Sequence, residues 1–366
     1  MALEEQIATK AKEIHTDGYP MSIGEVLSLY RDGDIEIHPE FQRIFRWDNE
    51  QKSGLIESIL LGIPVPPIFV SQRADGVWDV IDGVQRLSTV LQFVGVYRDE
   101  SGDLTEPLTL SSTEYLPDLA GHRWEVNAPG GHTFSDAMRR DFKRAKLEFR
   151  IIRKESDANA KYDMFQRLNA GTRLSEQEAR NCLLVMLNRE MYTETTRLSE
   201  ATDFRSVCQI SDQKESQAYY QELVLRFFCQ ADYSGGASEL PREFGKYVTE
   251  WMREAAKEFG SPASKIDSSL FDRTFRLLAA SLGDDTMRRW DGNRHLGPFS
   301  IACFEFVTSG LCANIDLWEQ RAEAELADRV RGIWTAPQFR DTSGSGISAR
   351  RRFPRLVVRA RDYFGR

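Results

Sequence analysis

Apolar positions in the first part of the chain fall into two periods, one suited to short strands and one to amphipathic helices. Ser22-x-x-Glu25 stands ahead of VLSLY as a capping box and predicts a short helix over about 22–31. Asp48 can cap a second helix, with Leu55, Ile56, Ile59 and Leu60 as its apolar stripe and Gly62 fitting its end. Pro64, Pro66 and Pro67 then force an extended segment. In IFVSQRADGVWDVID, two β-rich runs flank Asp75-Gly76, which predicts a hairpin. The second run ends at Asp82-Gly83. The VQRLSTVLQFV that follows places Val84, Leu87, Val90, Leu91 and Val94 on one side of a helix.

Residues 97–135 are rich in Gly, Pro, Ser, Thr and Asp and read as an insertion with little regular structure. A helix over about 135–145, the strand KLEFRIIRK at 146–154 and a helix over about 157–168 come next. Ser175-x-x-Glu178 is a second capping box, opening a helix that runs to about Leu187. From there to about 332 the pattern is helical, with loops at SGG (234–236) and GSP (260–262). DTSGSG at 341–346 reads as a flexible linker before ARRRFPRLVVRARDYFGR. The fold class is therefore α+β: a mixed N-terminal domain over 1–155, an α-helical domain over 156–332 and a basic C-terminal extension over 333–366. The aromatics of the helical half, such as Phe227, Trp251, Phe271 and Trp318, read as core or as a subunit interface that would make a homo-oligomer.

Charge adds something the pattern does not show. The chain carries 48 Lys+Arg against 56 Asp+Glu, a net of −8, which excludes a uniformly basic nucleic-acid coat. From Arg329 onward there are ten arginines and two aspartates, so the net is +8 there and −16 over 1–328. Such a tail suits an anionic partner, or a basic edge docked on the protein's own acidic body. The cysteines (182, 208, 229, 303 and 312) are scattered and lack metal spacing, as in reduced buried thiols of a cytoplasmic protein. MALEEQIATK has no signal-peptide core, and the apolar run near Ile59–Val70 is too short and too rich in proline to span a membrane.

Three clusters can carry chemistry. In Asp82-Gly83-Val84-Gln85-Arg86 a strand turns into a helix, whose free N–H groups suit phosphate. Arg86 can grip phosphate, Gln85 can bind it or orient a water, and Asp82 can hold a divalent ion. The plain alternative is a turn with a surface arginine. In the segment Pro39–Asp48, aromatics are interleaved with Gln42, Arg43 and Arg46, so that Arg46 and Trp47 can meet nucleic acid. Those aromatics can equally be core. In the third cluster, Phe165–Ser175, a helix ending at Asn169-Ala170-Gly171 can present Asn169 and Thr172 to a ligand, or it can be an ordinary turn between helices.

Taken in order, FQRIFRWDNEQKSGLIESILLGIPVPPIFV, WDVIDGVQRLSTVLQFV and FQRLNAGTRLSEQEARN resemble the domain of unknown function 262 family over roughly residues 20–190. The family's central motif is Asp-Gly-Gln-Gln-Arg; this chain has Val84 at the third position. The resemblance implies a ParB- and sulfiredoxin-like small mixed-sheet domain and a place in GmrSD-type, modification-dependent restriction or related anti-phage defence. There, nucleoside triphosphate binding or hydrolysis is coupled to DNA cleavage. By position, Asp82, Gln85 and Arg86 would be catalytic and Asp82 would hold Mg2+. Gln42, Arg43, Gly83, Val84, Ser88 and Asn169 would line the nucleotide site. Val84 puts hydrolysis in doubt more than binding. No cysteine lies at the turn, which argues against sulfiredoxin-like chemistry. The single histidine after residue 190, His295, is too isolated for an HNH-type nuclease, so a nuclease would be a separate partner chain.

The leading expectation is a Mg2+-dependent nucleoside triphosphatase acting as a sensor subunit. The alternatives are a non-catalytic DNA-binding module using Arg46, Trp47, Arg350, Arg351, Arg352 and Arg355, or a ParB-like nuclease using the same pocket.

Overall fold

A computed structural model describes residues 3–5, 15–37, 47–99, 102–125, 132–156, 175–235, 239–343 and 347–366. It divides into two compact units, Met1–Leu174 and Ser175–Arg366.

The first unit is mixed α and β. Strand β1 (Thr16–Ser22) leads into helix α1 (Ile23–Asp32), capped by the Ser22 hydroxyl, which accepts from the Glu25 N–H. A short β2 (Ile35–Glu36) is followed by α2 (Asn49–Leu61). Asp48 and Gln51 cap α2 reciprocally, and Gly62 ends it in the left-handed conformation. The prolines hold 63–67 out of regular structure. Strands β3 (Ile68–Gln72) and β4 (Trp78–Asp82) then form the expected antiparallel hairpin. Helix α3 (Val84–Val94) leaves from β4 across Gly83.

The 97–135 segment has little regular structure: one 3-10 turn (Pro117–Leu119) and a two-residue parallel pair, β5 (His122–Arg123) with β6 (His132–Thr133). It is nonetheless part of the core. Its Trp124 and Phe134 pack edge-on against Phe93 of α3, and Trp124 also packs against Phe142 of α4 (Asp136–Arg144). Composition announces a loop, whereas single aromatics spaced without period carry the packing. The segment is pinned from below by Glu57, whose carboxylate accepts from the Tyr115 and Leu116 N–H groups, both at 2.8 Å. Strand β7 (Lys146–Ile152) completes a five-stranded sheet in the order β1-β7-β3-β4-β2. The sheet is mixed: β3–β7 and β2–β4 run parallel, β1–β7 and β3–β4 antiparallel. The expected helix over 157–168 lies outside the described residues.

The second unit is helical. Ser175 and Glu178 form both bonds of the capping box that starts α5 (Glu176–Leu187). Then come α6 (Arg189–Ser199), α7 (Thr202–Val207), α8 (Asp212–Ser216), α9 (Tyr219–Asp232), α10 (Phe244–Glu258) and α11 (Ser268–Ser281). A small antiparallel pair, β8 (Arg289–Trp290) with β9 (His295–Leu296), interrupts the series. Helices α12 (Ile301–Cys312), α13 (Ile315–Trp318), α14 (Glu323–Gly332), α15 (Pro337–Ser343) and α16 (Ala349–Phe364) complete it. The expected linker at 341–346 is corrected in part. Asp341 and Thr342 belong to α15, and Thr342 is buried, its hydroxyl donating to the Gln338 and Phe339 carbonyls. The arginine-rich C-terminus is a core helix: Phe353, Leu356, Val357, Ala360 and Phe364 of α16 are wholly buried. All five cysteines are free and buried. Among the described residues, no helix is long and apolar enough to cross a membrane.

Candidate functional site at the strand–turn–helix junction

The Asp82–Arg86 turn owes its shape to Gly83. That residue sits at φ 88°, in the left-handed region, and reverses the chain from β4 into α3. A Cβ here would stand 3.1 Å from Ile68 Cγ1 and 3.2 Å from Arg86 Nη2. Because Gly83 has no side-chain oxygen, α3 begins without a side-chain cap. Its first intrahelical bond runs from the Leu87 N–H to the Gly83 carbonyl. The N–H groups of Val84, Gln85 and Arg86 are thus left without intrahelical partners at the positive end of the helix.

Arg86 is held tightly. One Nη donates to Asp82 Oδ2 at 2.7 Å, while the other donates to the Pro67 carbonyl at 2.9 Å and to the Pro66 carbonyl. The i,i+4 spacing brings the guanidinium back over the strand end. The proline run, unable to donate N–H groups, turns bare carbonyls toward it. The sequence does not reveal that the Pro66–Pro67 carbonyls belong to this site; the only signal is that proline carbonyls need outside donors. The Arg86 side chain is 14% exposed and that of Asp82 26%, so both side chains reach solvent.

The other expected residues divide. Gln85 Oε1 accepts from the Trp47 N–H at 3.1 Å, so Gln85 ties the chain just before α2 to the start of α3. Ser88 lies one turn further along α3 and donates to the Tyr97 hydroxyl at 3.3 Å. Val84 is 5% exposed, a core side chain, so only its backbone faces the turn. Gln42, Arg43, Arg46 and Asn169 lie outside the described residues, as does Thr172.

Among the described residues, no group of three or more His, Cys, Asp or Glu side chains is placed to hold a metal. Among the described residues, Asp82 belongs to no carboxylate cluster, and the N–H groups beside it have no partner there. That fits a Mg2+ ion brought with nucleotide phosphates, which commonly takes one or two protein carboxylates. It does not fit a metal held by protein alone. Two clefts on the helical unit, one beside Glu194 and Ser268 and one beside Arg288 and Phe299, contain none of the expected site residues.

The tail arginines belong to the helical unit. Arg352 donates from Nε to Glu305 Oε2 at 2.9 Å and from Nη2 to Oε1 at 3.2 Å, and Glu305 is wholly buried. Arg350 pairs with Glu239 at 2.8 Å and donates to the Leu240 carbonyl. Arg351 is exposed, 3.3 Å from Glu239, and Arg355 is exposed with no hydrogen bond or ion pair among the described residues.

Residues 23–185 match the family model described as GmrSD restriction endonuclease, N-terminal domain. This part of the chain is similar to the N-terminal domain of GmrSD-type restriction endonucleases. A search of curated proteins and a search of solved structures each find no match.

Proposed function

We propose that this chain is a sensor or regulatory subunit of a modification-dependent DNA restriction system, and that its Asp82–Arg86 turn binds a nucleoside triphosphate with Mg2+ and hydrolyses it. The restriction-system role rests on the family match of residues 23–185. The nucleotide reading goes beyond that match. The observation that carries it is the start of α3, where no side chain caps the helix and the first N–H groups have no partner among the described residues, beside a partly exposed Asp82–Arg86 pair. We further propose a ParB- and sulfiredoxin-like architecture for this domain, supported by the small mixed sheet whose β4 feeds α3 through the turn.

The chemistry follows from charge balance. With no nucleotide bound, Arg86 and Asp82 neutralise each other. On nucleotide binding Arg86 would exchange the carboxylate for phosphate oxygens, leaving Asp82 as the residue that would hold a magnesium ion; held there, the ion would supply neutralisation of the charge that develops during phosphoryl transfer. The α3 N–H groups and Arg86 stabilise the same charge electrostatically. Gln85 acts as a positioning residue for the chain at Trp47, since its carbonyl oxygen is already engaged there.

The test is a Mg2+-dependent hydrolysis and binding panel over the common nucleoside triphosphates, with and without DNA. Wild type is expected to turn over at least one. Arg86→Ala is expected to lose about 10²–10³ in kcat, and Asp82→Asn to need more Mg2+ than wild type to reach half-maximal rate. A wild-type chain that neither binds nor hydrolyses any triphosphate overturns the reading. Because Arg86 also clamps the prolines, Arg86→Lys serves as a second variant. It keeps the charge but not the multi-donor clamp.

A further inference from the structure

The arginines of α16 fall into two sets. Arg352 and Arg361 turn inward, the first to buried Glu305 and the second to the Gln230 and Ala231 carbonyls. Arg351, Arg355 and Arg359 recur every fourth residue on the opposite face, and all three are exposed. At 1.5 Å per residue they form a line of about 12 Å.

Helix stability does not explain this line. Like charges at i,i+4 disfavour a helix. The carboxylates near them compensate only in part: Glu239 is shared between Arg350 and Arg351, Asp341 lies 3.7 Å from Arg359, and Arg355 has none among the described residues. The helix that carries the line is held in place. The opposite face of α16 is buried, and the Trp318 Nε1 donates to the Phe364 carbonyl at 2.8 Å. Exposed Val358 lies within the row and adds an apolar surface without charge. A row of guanidinium groups on a helix held by its buried face, each able to donate bidentately, on a chain that is otherwise acidic, fits a regular array of phosphates.

We propose that Arg351, Arg355 and Arg359 are a phosphate-binding stripe for the backbone of duplex DNA. The choice of DNA as partner rests on the restriction-system reading above; the stripe itself rests on the geometry of α16. Its interactions are sequence-independent and orient the DNA without reading bases.

The experiment measures duplex binding by the full chain across a salt series. The variants are wild type, a stripe variant (Arg351→Gln, Arg355→Gln, Arg359→Gln) and a second basic-surface variant on α4 (Arg140→Gln, Lys143→Gln). Wild-type affinity should fall steeply with salt. In the stripe variant the log–log slope should shrink by about 2.7, roughly 0.9 for each phosphate that is no longer neutralised. The α4 variant should keep the wild-type slope. Thermal melting should be little changed in the stripe variant, since the i,i+4 repulsion it relieves offsets the exposed pairs to Glu239 and Asp341 that it loses. Equal slopes in wild type and stripe variant overturn the proposal, as does a wild-type chain that shows no duplex binding at low salt or a reduced slope in the α4 variant instead. Triphosphate hydrolysis without DNA is measured in parallel. A stripe variant that hydrolyses normally but fails on DNA supports the stripe. DNA binding that needs the stripe in a chain with no triphosphatase activity leaves the stripe standing and removes the nucleotide reading.

Discussion

At the scale of single residues, the turn depends on what Gly83 and Val84 lack. Gly83→Ala places a Cβ 3.1 Å from Ile68 in a left-handed backbone. It is expected to cost about 1–2 kcal/mol and to displace Arg86, measurable as a lower denaturation midpoint. Val84 departs from the Asp-Gly-Gln-Gln-Arg pattern of the family the sequence resembles, which in sequence suggests weakened hydrolysis. Its side chain, however, points into the core. Val84→Gln should therefore leave triphosphate hydrolysis no faster than wild type. It should cost about 1–3 kcal/mol for burying an amide without partners, seen in urea unfolding; a gain in turnover would contradict this. The residue identities of the turn were legible because strand, glycine and helix follow one another in sequence. The acceptors of Arg86 were not, because Pro66 and Pro67 lie 20 and 19 residues away. Glu57 gives the pH prediction at this scale. The Thr113 hydroxyl, with the Tyr115 and Leu116 N–H groups, holds its carboxyl below the usual carboxylate range against the opposing effect of burial. Since the folded value lies below the unfolded one, its contribution is complete above about pH 4.3 and is lost as pH falls through the folded value. Glu57→Gln should flatten that acid limb in a melting series; an unchanged limb would contradict it.

At the scale of elements, the capped helices were readable and the ion network was not. Ser22, Asp48 and Ser175 all cap where their spacing predicts, because capping is local. In the helical unit a chain of alternating charge runs from Arg180 to Glu222 (3.3 Å), on through Arg226, and from Arg226 to Glu305 (2.8 Å) and Arg352 (2.9 Å). It joins α5, α9, α12 and α16. Only the Glu222–Arg226 step has helical spacing; the rest span 42 to 79 residues and leave no sequence signal. Pro354 plays a related part within α16. Lacking an N–H, it leaves the Arg350 carbonyl free, and the Leu240 N–H donates to it at 3.1 Å. Glu305→Gln leaves Arg226 and Arg352 facing one another in a buried site. The expected loss is about 3–5 kcal/mol, measured by denaturant unfolding, with part regained when Arg352→Met is added. A loss under about 1 kcal/mol would mean that water or relaxation already screens the pair.

At the scale of the whole molecule, net charge marked the C-terminal region as distinct, but charge alone could not separate an appended tail from a basic edge packed on the body. The structure supplies the apolar half of that sequence. Phe353, Leu356, Val357, Ala360 and Phe364 are wholly buried, and α16 lies so close on α12 that a Cβ on Gly310 would stand 2.7 Å from the Ala360 carbonyl. Removing residues 341–366 would therefore take away a wall of the helical unit as well as its arginines, and a loss of DNA binding after that deletion would not identify the arginines as its cause. The expected result of the deletion is unfolding: far-UV circular dichroism should lose more helix than the cut itself removes, which is the last three residues of α15 and the 16 of α16, because α12 and the rest of α15 lose the surface they pack on. The loss of a cooperative transition in calorimetry should accompany it. If the shortened chain instead loses only the signal of the residues removed and keeps its melting transitions, α16 is an appendage, and deletion becomes a fair test of its arginines.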